Sequence, residues 1–267
     1  MTEAATRRTD HRDEDGGRET AIYVYGIVPS DVETDSEVTG IGEPPTTIET
    51  VRHGDIAALV SEITVDRPLG TPEDLMAHAR ILDASASEVP VLPLRFGAVL
   101  TDRDAVREEL LTEHHDEFAA ALAELEGRAQ YLLKGRYDER AVLDEILSED
   151  SRAQQLREAI RDAPREATRN ERIALGELIS NAIAAKREAD TRIAVEALED
   201  LGVDVAPREA THELDAVHVT CLAEVAAQGD LERTVDTLAR RWEDRVDLRL
   251  SGPLAAYDFV RTARPGS

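Results

Sequence analysis

The second half of the chain, from residue 127 onward, alternates short apolar runs with long polar segments in one definite order. Pro164 interrupts the long helical region, and Gly202 ends it. In chain order, the predicted elements are a strand at 128–137, helices within 138–200, a hairpin of 203–211 with 216–225, a helix at 229–243 and a strand at 245–250. This β-α-β-β-α-β order predicts a modified ferredoxin-like unit, and its long first crossover predicts extra helices outside the sheet.

The first half of the chain predicts a mixture of helices and strands. Thr71 followed by Pro72 and two acidic residues is typical of a helix N-terminus. Pro90 and Pro93 limit the apolar run around them to an edge strand or an extended segment. The predicted elements are a buried strand at 21–28, a hairpin of 48–52 with 56–63, a helix at 71–87, the extended segment at 89–100 and a helix from 101 or 102 to 126. The fold class is therefore α+β.

Charge is distributed unevenly along the chain. Its formal net charge is −25, of which −16 falls in residues 21–126 and −7 in the residues from 127 on. Residues 1–20 carry almost no large apolar side chains, and the acidic run at 13–15 fails the spacing of a calcium loop. We therefore expect a disordered tail at 1–20, an N-terminal α+β domain at 21–126 and a C-terminal ferredoxin-like domain with a long helical crossover at 127–262.

The composition excludes several classes of protein. A chain this acidic repels nucleic acid and anionic membrane surfaces. Cys221 is the one cysteine, so an intrachain disulfide is impossible, and no apolar run reaches the ~20 residues of a membrane span. Only Lys134 and Lys186 are lysines, and an acidic, lysine-poor surface stays hydrated in concentrated salt. We expect a halophilic protein of the cytoplasm, with no nucleic-acid or membrane partner.

The sequence contains no catalytic or ligand-binding motif with the required spacing. His78 follows Asp74 by one helical turn, which can orient an imidazole, although a packed histidine is the favoured interpretation. His114 and His115 point to different helix faces, as a solvated pair does, and Cys221 is expected to be a buried inert thiol. We predict no metal and no cofactor. A hydrolase using His78 or His115 as a base is the least favoured alternative.

Three segments place an arginine or an aromatic residue among apolar residues, with glycine or proline shaping the backbone. They are PVLPLRFG at 90–97, LKGRYD at 133–138 and SGPLAAYDF at 251–259. Arginine in such a setting is either a buried structural donor or an anchor of an interface. The physical argument favours the structural role, and the interface role stays open.

These segments belong to a longer series of motifs. The series is YVYGIV at 23–28, GDIAALVSEI at 54–63, AHARIL at 77–82, VLPLRFGAVL at 91–100, LLKGRYDE at 132–139, RIALGELI at 172–179, KREAD at 186–190 and VDLRLSGPLAAYDFV at 246–260. In these motifs and their order, over residues 21–262, the chain resembles the gas vesicle protein L/F family of accessory assembly proteins. Ala255 and Ala256 stand where prolines are common in the family. The composition resembles a haloarchaeal member, and the length and tail resemble the longer L-type.

The resemblance implies a two-domain α+β protein whose C-terminal domain is a modified ferredoxin fold. It also implies a protein that is not an enzyme and is associated with gas vesicles, the hollow protein shells that give cells buoyancy. Such proteins are thought to contact the major, very hydrophobic shell protein and other accessory gas vesicle proteins during early assembly. The alternative within the family is a minor structural component that is retained in the mature vesicle.

Two surfaces are candidates for partner binding, although both are more readily explained as core. One is the apolar stripe of the helical region 169–201, which continues through Ala182, Ala189 and Ile193, and the other is the segment 90–97. We expect Arg95→Glu to weaken binding of the shell protein and to leave the fold intact. The candidate residues are Pro93, Arg95, Phe96, Arg136, Tyr137, Leu175, Leu178, Ile179 and Tyr257.

Overall fold

Two antiparallel sheets and their helices make up the structure, a computed structural model that describes residues 20–34, 38–65, 68–164 and 166–260. The acidic run at 13–15 and all of the predicted tail except Thr20 lie outside the described residues. Among the described helices, none combines the length and apolar character that a bilayer crossing requires.

The first sheet is built around β1 (Thr20–Pro29), whose residues are buried along all but its ends. It pairs antiparallel with β3 (Ile56–Thr64), which pairs in turn with β2 (Glu49–His53). On the other side of β1 lie two short strands, β4 (Leu92–Pro93) and β5 (Val99–Leu100). The predicted hairpin and the proline-limited edge segment are both confirmed.

Helix α1 (Pro72–Ala86) covers one face of this sheet and begins where the sequence predicts. The Thr71 hydroxyl accepts a hydrogen bond from the Asp74 amide at 3.2 Å, and the Asp74 carboxylate accepts one from the Thr71 amide at 3.2 Å. This reciprocal capping satisfies amide groups that the first turn of a helix leaves without partners.

The prediction of a single helix from 101 or 102 to 126 is wrong, because the structure divides that segment. A short turn, α2 (Arg103–Ala105), continues into a π-helical stretch at Val106–Thr112, and α3 (His115–Leu125) follows after a break. In an uninterrupted helix Phe118 would point roughly 120° away from Val106. The wider π turn brings both side chains into the same core, so burial of the apolar residues outweighs regular helix geometry.

The second sheet has the ferredoxin-like strand order. Its strands, in spatial order, are β7 (Asp204–Pro207), β8 (Asp215–Glu224), β6 (Arg128–Tyr137) and β9 (Val246–Leu254), with all neighbours antiparallel. The helices of this half are α4 (Glu139–Glu149), α5 (Ser151–Arg161), α6 (Arg169–Glu199) and α7 (Gln228–Arg241). The predicted βαββαβ order and the extra helices of its first crossover are confirmed.

The buried residues of α6 depart from the predicted stripe. Ala189 is exposed, whereas Ile183, Asp190 and Ala194 are buried against the second sheet. The reason is electrostatic: Asp190 faces the sheet because the buried Tyr137 and the partly buried Arg245 bind its carboxylate there. Apolar periodicity alone therefore does not identify the buried face of a helix when that face includes a charged residue.

Candidate functional site

A buried cluster of rings, the His78 junction, joins β1, α1 and the segments at 92–97 and 255–260. The hydroxyl of Tyr23 lies 2.9 Å from Nδ1 of His78, and the hydroxyl of Tyr257 lies 2.9 Å from Nε2. The Gly97 amide donates to the Tyr23 hydroxyl at 3.1 Å, and the Phe96 ring lies 5.5 Å from the imidazole. A neutral imidazole has one donor and one acceptor nitrogen, so both nitrogens are satisfied.

The environment of the His78 junction favours neutral side chains. Burial lowers the pKa of His78 to about 4 and raises the pKa of Tyr23 and Tyr257 above the usual value. Nearby, the Ala255 amide donates to the Asp83 carboxylate at 2.9 Å. The junction therefore holds the segment after β9 against α1, which is a structural role. The prediction of a packed histidine at position 78 is confirmed.

A second cluster, the Asp190 junction, brings together the motifs LLKGRYDE at 132–139 and KREAD at 186–190. The Tyr137 hydroxyl donates to Asp190 at 2.6 Å, and Arg245 donates to Asp190 at 2.9 Å and to Glu145 at 2.8 Å. Lys186 donates to Glu145 at 2.9 Å, and the Arg245 guanidinium lies 5.2 Å from the centre of the Tyr137 ring. Charges of opposite sign thus alternate from Asp190 on α6, through Arg245 in the loop before β9, to Glu145 on α4.

The pKa values within the Asp190 junction show that its charges stabilise one another. Burial opposes the charge on Arg245, but its bonds to Asp190 and Glu145 outweigh burial and raise its pKa. Burial likewise opposes the charge on Glu145, but Lys186 and Arg245 outweigh it and lower its pKa. We interpret the cluster as the contact that holds α4, α6 and the start of β9 in place.

An open apolar groove of about 600 Å³, the α4–α6 groove, lies on the outside of the extra helices. Leu143 and Leu147 on α4 form one wall, and Leu175 and Ile179 on α6 form the other. Each wall consists of residues four apart, which lie one above the other on a helix. The polar lining residues are Asp138, Glu139, Arg140, Asp144 and Arg157.

Local sequence explains why α4 leaves this groove open. The Asp138 carboxylate caps the helix by accepting a bond from the Ala141 amide at 2.8 Å. Val142 and Ile146 are buried against the sheet, so the next residues on the helix, about 100° around its axis, face outward. Two apolar stripes on one helix therefore serve two surfaces, the core and the groove.

The nine candidate binding residues lie in different settings. Pro93 is buried opposite Gly26 in the first sheet, and Tyr137 is buried within the Asp190 junction. Arg95 is exposed, although Phe96 beside it packs into the His78 junction. Pro93, Arg95 and Phe96 are close in sequence but differ in what they offer a partner, because Pro93 lies in β4 whereas Arg95 and Phe96 lie in the turn that follows it.

The remaining candidates fall into four places. Arg136 is exposed on β6, and Tyr257 keeps 36% of its surface exposed although its hydroxyl bonds His78. Leu175 and Ile179 line the α4–α6 groove, and Leu178 packs against the second sheet. The structure thus brings Leu175 and Ile179 together in one groove and Phe96 and Tyr257 together around His78, and it separates the other candidates.

The wall of the groove on α4 is absent from the candidates chosen by sequence. Leu143 and Leu147 have the spacing that reveals it, but the buried pair Val142 and Ile146 has the same spacing and conceals it. A helix with two apolar stripes needs a second apolar neighbour, and this pattern is the sequence signal that could have predicted the α4 wall.

His115, one of the two histidines considered as a catalytic base, is held by acidic side chains. His115 lies between two carboxylates, with Nε2 2.8 Å from Asp55 and Nδ1 3.0 Å from Asp116, and hydrogen bonds to these carboxylates raise its pKa. A groove of about 400 Å³ is lined by Asp55 but not by His115.

Burial raises the pKa of Cys221 to about 11, as an inert thiol requires. Within the described residues, no group of three or more histidine, cysteine or acidic side chains is arranged to hold a metal ion.

Comparison with known proteins agrees with the motif series. Residues 21–261 match the family described as "Gas vesicle synthesis protein GvpL/GvpF". The chain belongs to the GvpL/GvpF family. Gas vesicle protein F of Streptomyces sp. (strain CB03234) is 33% identical over 242 residues, which cover 90% of this chain and 99% of the relative. Gas vesicle protein L of the same strain is 34% identical over 126 residues, 42% of this chain and 46% of the relative. Both subtypes are thus among the relatives of this GvpL/GvpF member, and its L-type assignment stays a prediction.

Solved structures show the same fold. The crystal structure of GvpF from Anabaena sp. PCC7120 superposes with a TM-score of 0.72 at 21% identity, covering 93% of this chain and 99% of the other. GvpF from Microcystis aeruginosa gives a TM-score of 0.70 at 20% identity, with 91% and 99% covered. The chain therefore shares its α+β fold with these two GvpF proteins.

Proposed function

We propose that this GvpL/GvpF member is an accessory protein of gas vesicle assembly that binds the hydrophobic shell protein in the α4–α6 groove. The observation that carries the proposal is the groove itself, whose two apolar walls accept one face of an amphipathic helix. Membership of a gas vesicle family supplies the biological context.

The chemistry of the surface supports a carrier role. Unassembled shell subunits expose apolar surface, which aggregates, and concentrated salt strengthens that tendency. The groove covers part of such a surface, while a net charge of −25 keeps the complex in solution. No catalytic step is needed for this role, so we propose a binding protein rather than an enzyme.

Leu175→Glu tests the proposal, with Ile173→Glu as the matched control. Both residues are on α6, but they point roughly 200° apart, and Ile173 is 50% exposed outside the groove. The tagged chain is co-purified with the shell protein in multi-molar salt, and circular dichroism checks the fold. We expect wild type and the Ile173 variant to retain the shell protein and the Leu175 variant to lose it. Equal retention by both variants would overturn the assignment to the groove.

The segment 90–97 is the competing surface, and the same assay includes it. Arg95 is exposed, so Arg95→Glu tests that surface without disturbing the core. Loss of the shell protein with the Arg95 variant alone would place binding at that segment.

Further features of the proposal concern location and partners. We propose a cytoplasmic protein, adapted to concentrated salt, that associates with gas vesicles and with other accessory gas vesicle proteins. The division into domains at 21–126 and 127–262 belongs to the same proposal. The alternative, a minor component retained in the mature vesicle, predicts a fixed stoichiometry on purified vesicles. An assembly factor is absent from them.

A further inference from the structure

β9 leaves one edge of the second sheet without a strand partner. It pairs with β6 on one side only and is the last strand in the sheet order. Across the part of the chain that the structure describes, no backbone partner occupies its other edge between Asp247 and Ser251. Such an edge presents amide and carbonyl groups to any strand that fits.

Two exposed charges decide which strand fits. Asp247 and Arg249 are both exposed, and neither forms an ion pair within the described residues. Charges on an edge strand oppose pairing with most other strands, because like charges directly across a strand pair are destabilising. A strand that places the opposite charge across from each of them gains two cross-strand pairs instead.

A second copy of β9 supplies this arrangement. When two copies run antiparallel about a twofold axis at Leu248, Asp247 of each copy lies opposite Arg249 of the other. The same register places Val246 of each copy opposite Leu250 of the other. Both residues belong to the apolar layer of the second sheet, so the pairing continues that layer from one copy to the next. Pro253 has no amide hydrogen, so the paired segment ends before it.

The other edge of the sheet fits a second copy less well. β7 has only four residues and ends at Pro207, and its Asp204 is already bonded to Arg128 at 2.6 Å. The observations therefore favour β9.

We propose that two copies of the chain associate through β9, joining their second sheets into one continuous antiparallel sheet with Asp247 and Arg249 paired across the twofold axis. This association is independent of the α4–α6 groove, because none of the residues that line the groove lies on β9.

Charge reversal tests the pairing. Sedimentation equilibrium of the full chain, at the lowest salt concentration that keeps it folded, compares wild type, Asp247→Arg, Arg249→Asp and the double variant. We expect a wild-type dimer, a dissociation constant raised about tenfold or more in each single variant, and recovery in the double variant, which restores opposite charges. Asp236→Arg, an exposed charge change on α7, is the control and is expected to leave the dimer unchanged.

A cross-linking variant covers the case of a weak dimer. Cysteines in place of both Asp247 and Arg249 lie opposite each other across the proposed axis, and we expect an oxidised, disulfide-linked dimer. The buried Cys221 does not take part, which the wild-type chain checks. A monomeric wild type with no cross-link, or a dimer unchanged by either single reversal, would overturn the proposal.

Discussion

The Nε2 atom of His78 lies 2.9 Å from the hydroxyl oxygen of Tyr257, 179 residues further along the chain. This bond joins α1, which packs on the first sheet, to the segment that leaves the second sheet after β9. The next residue, Asp258, donates its amide to Gln130 on β6 at 3.0 Å, so the same segment is held from both sides. Stability of the two sheets is therefore expected to depend on a few contacts in 255–260.

Removal of the Tyr257 hydroxyl tests this dependence. In Tyr257→Phe one nitrogen of the buried His78 loses its partner, and we expect the free energy of unfolding to fall by about 1–3 kcal/mol. Denaturant titration followed by circular dichroism measures the change. An unchanged midpoint would show that solvent replaces the hydroxyl, since Tyr257 is 36% exposed.

The low pKa of His78 predicts how stability changes with pH. The unfolded chain binds a proton at this histidine below about pH 6.5, whereas the folded chain binds it only below about pH 4. The stabilisation is therefore fully present above pH 6.5 and is lost as the pH falls toward 4, by an amount on the order of 3 kcal/mol.

His78→Gln provides the comparison for this pH dependence. Glutamine keeps one donor and one acceptor but does not titrate. The difference in unfolding free energy between wild type and variant is expected to shrink as the pH falls from 6.5 to 4. Because other groups titrate in both proteins, only this difference reports on His78. A difference that stays constant over this range would contradict the assigned pKa.

Local sequence signals predicted much of the fold. Thr71 and Pro72 specify where α1 begins, and Gly202, with φ of 74°, follows the end of α6 as expected of a C-terminal glycine. The order of strands and helices in the second half was sufficient for the ferredoxin-like topology. These signals depend on residues that are close in sequence, which is why they can be interpreted without coordinates.

The site depends on contacts between residues far apart in sequence. Helical spacing offered only Asp74 as a possible partner of His78, but Tyr23 and Tyr257, on other elements, bond both of its nitrogens. Asp190 interrupts an otherwise apolar stripe because Arg245 reaches it from another loop. Such partners come together only when the sheets form, so helical periodicity alone cannot identify them.

Cys221 provides a test of the core of the second sheet. Its thiol is 1% exposed and has a pKa of about 11, so little thiolate is present at pH 8 and reagents do not reach it. We expect no reaction with a thiol reagent in the native state and one equivalent after unfolding in denaturant. Rapid native-state reaction would mean that β8 opens locally, and hydrogen exchange of its amides would then be fast as well.

Asp190 on α6 and Asp144 on α4 allow a buried ion pair to be compared with an exposed one. Asp190 is 5% exposed and binds both Arg245 and Tyr137, whereas Asp144 lies 3.9 Å from Arg140 with both side chains largely exposed. Asp190→Ala leaves the buried Tyr137 hydroxyl without its acceptor and the partly buried Arg245 guanidinium with Glu145 alone, so we expect the free energy of unfolding to fall by about 3 kcal/mol.

Asp144→Ala is the matched control, because it makes the same substitution at a helical aspartate in an exposed pair. We expect it to cost less than about 1 kcal/mol, and added salt reduces even that cost because ions screen an exposed pair. Thermal or denaturant unfolding of the two variants at low and high salt gives both quantities. If the two substitutions cost the same, the Asp190 junction contributes no more than a surface ion pair. The fixed position of α4, and with it the α4–α6 groove, would then depend on apolar packing alone.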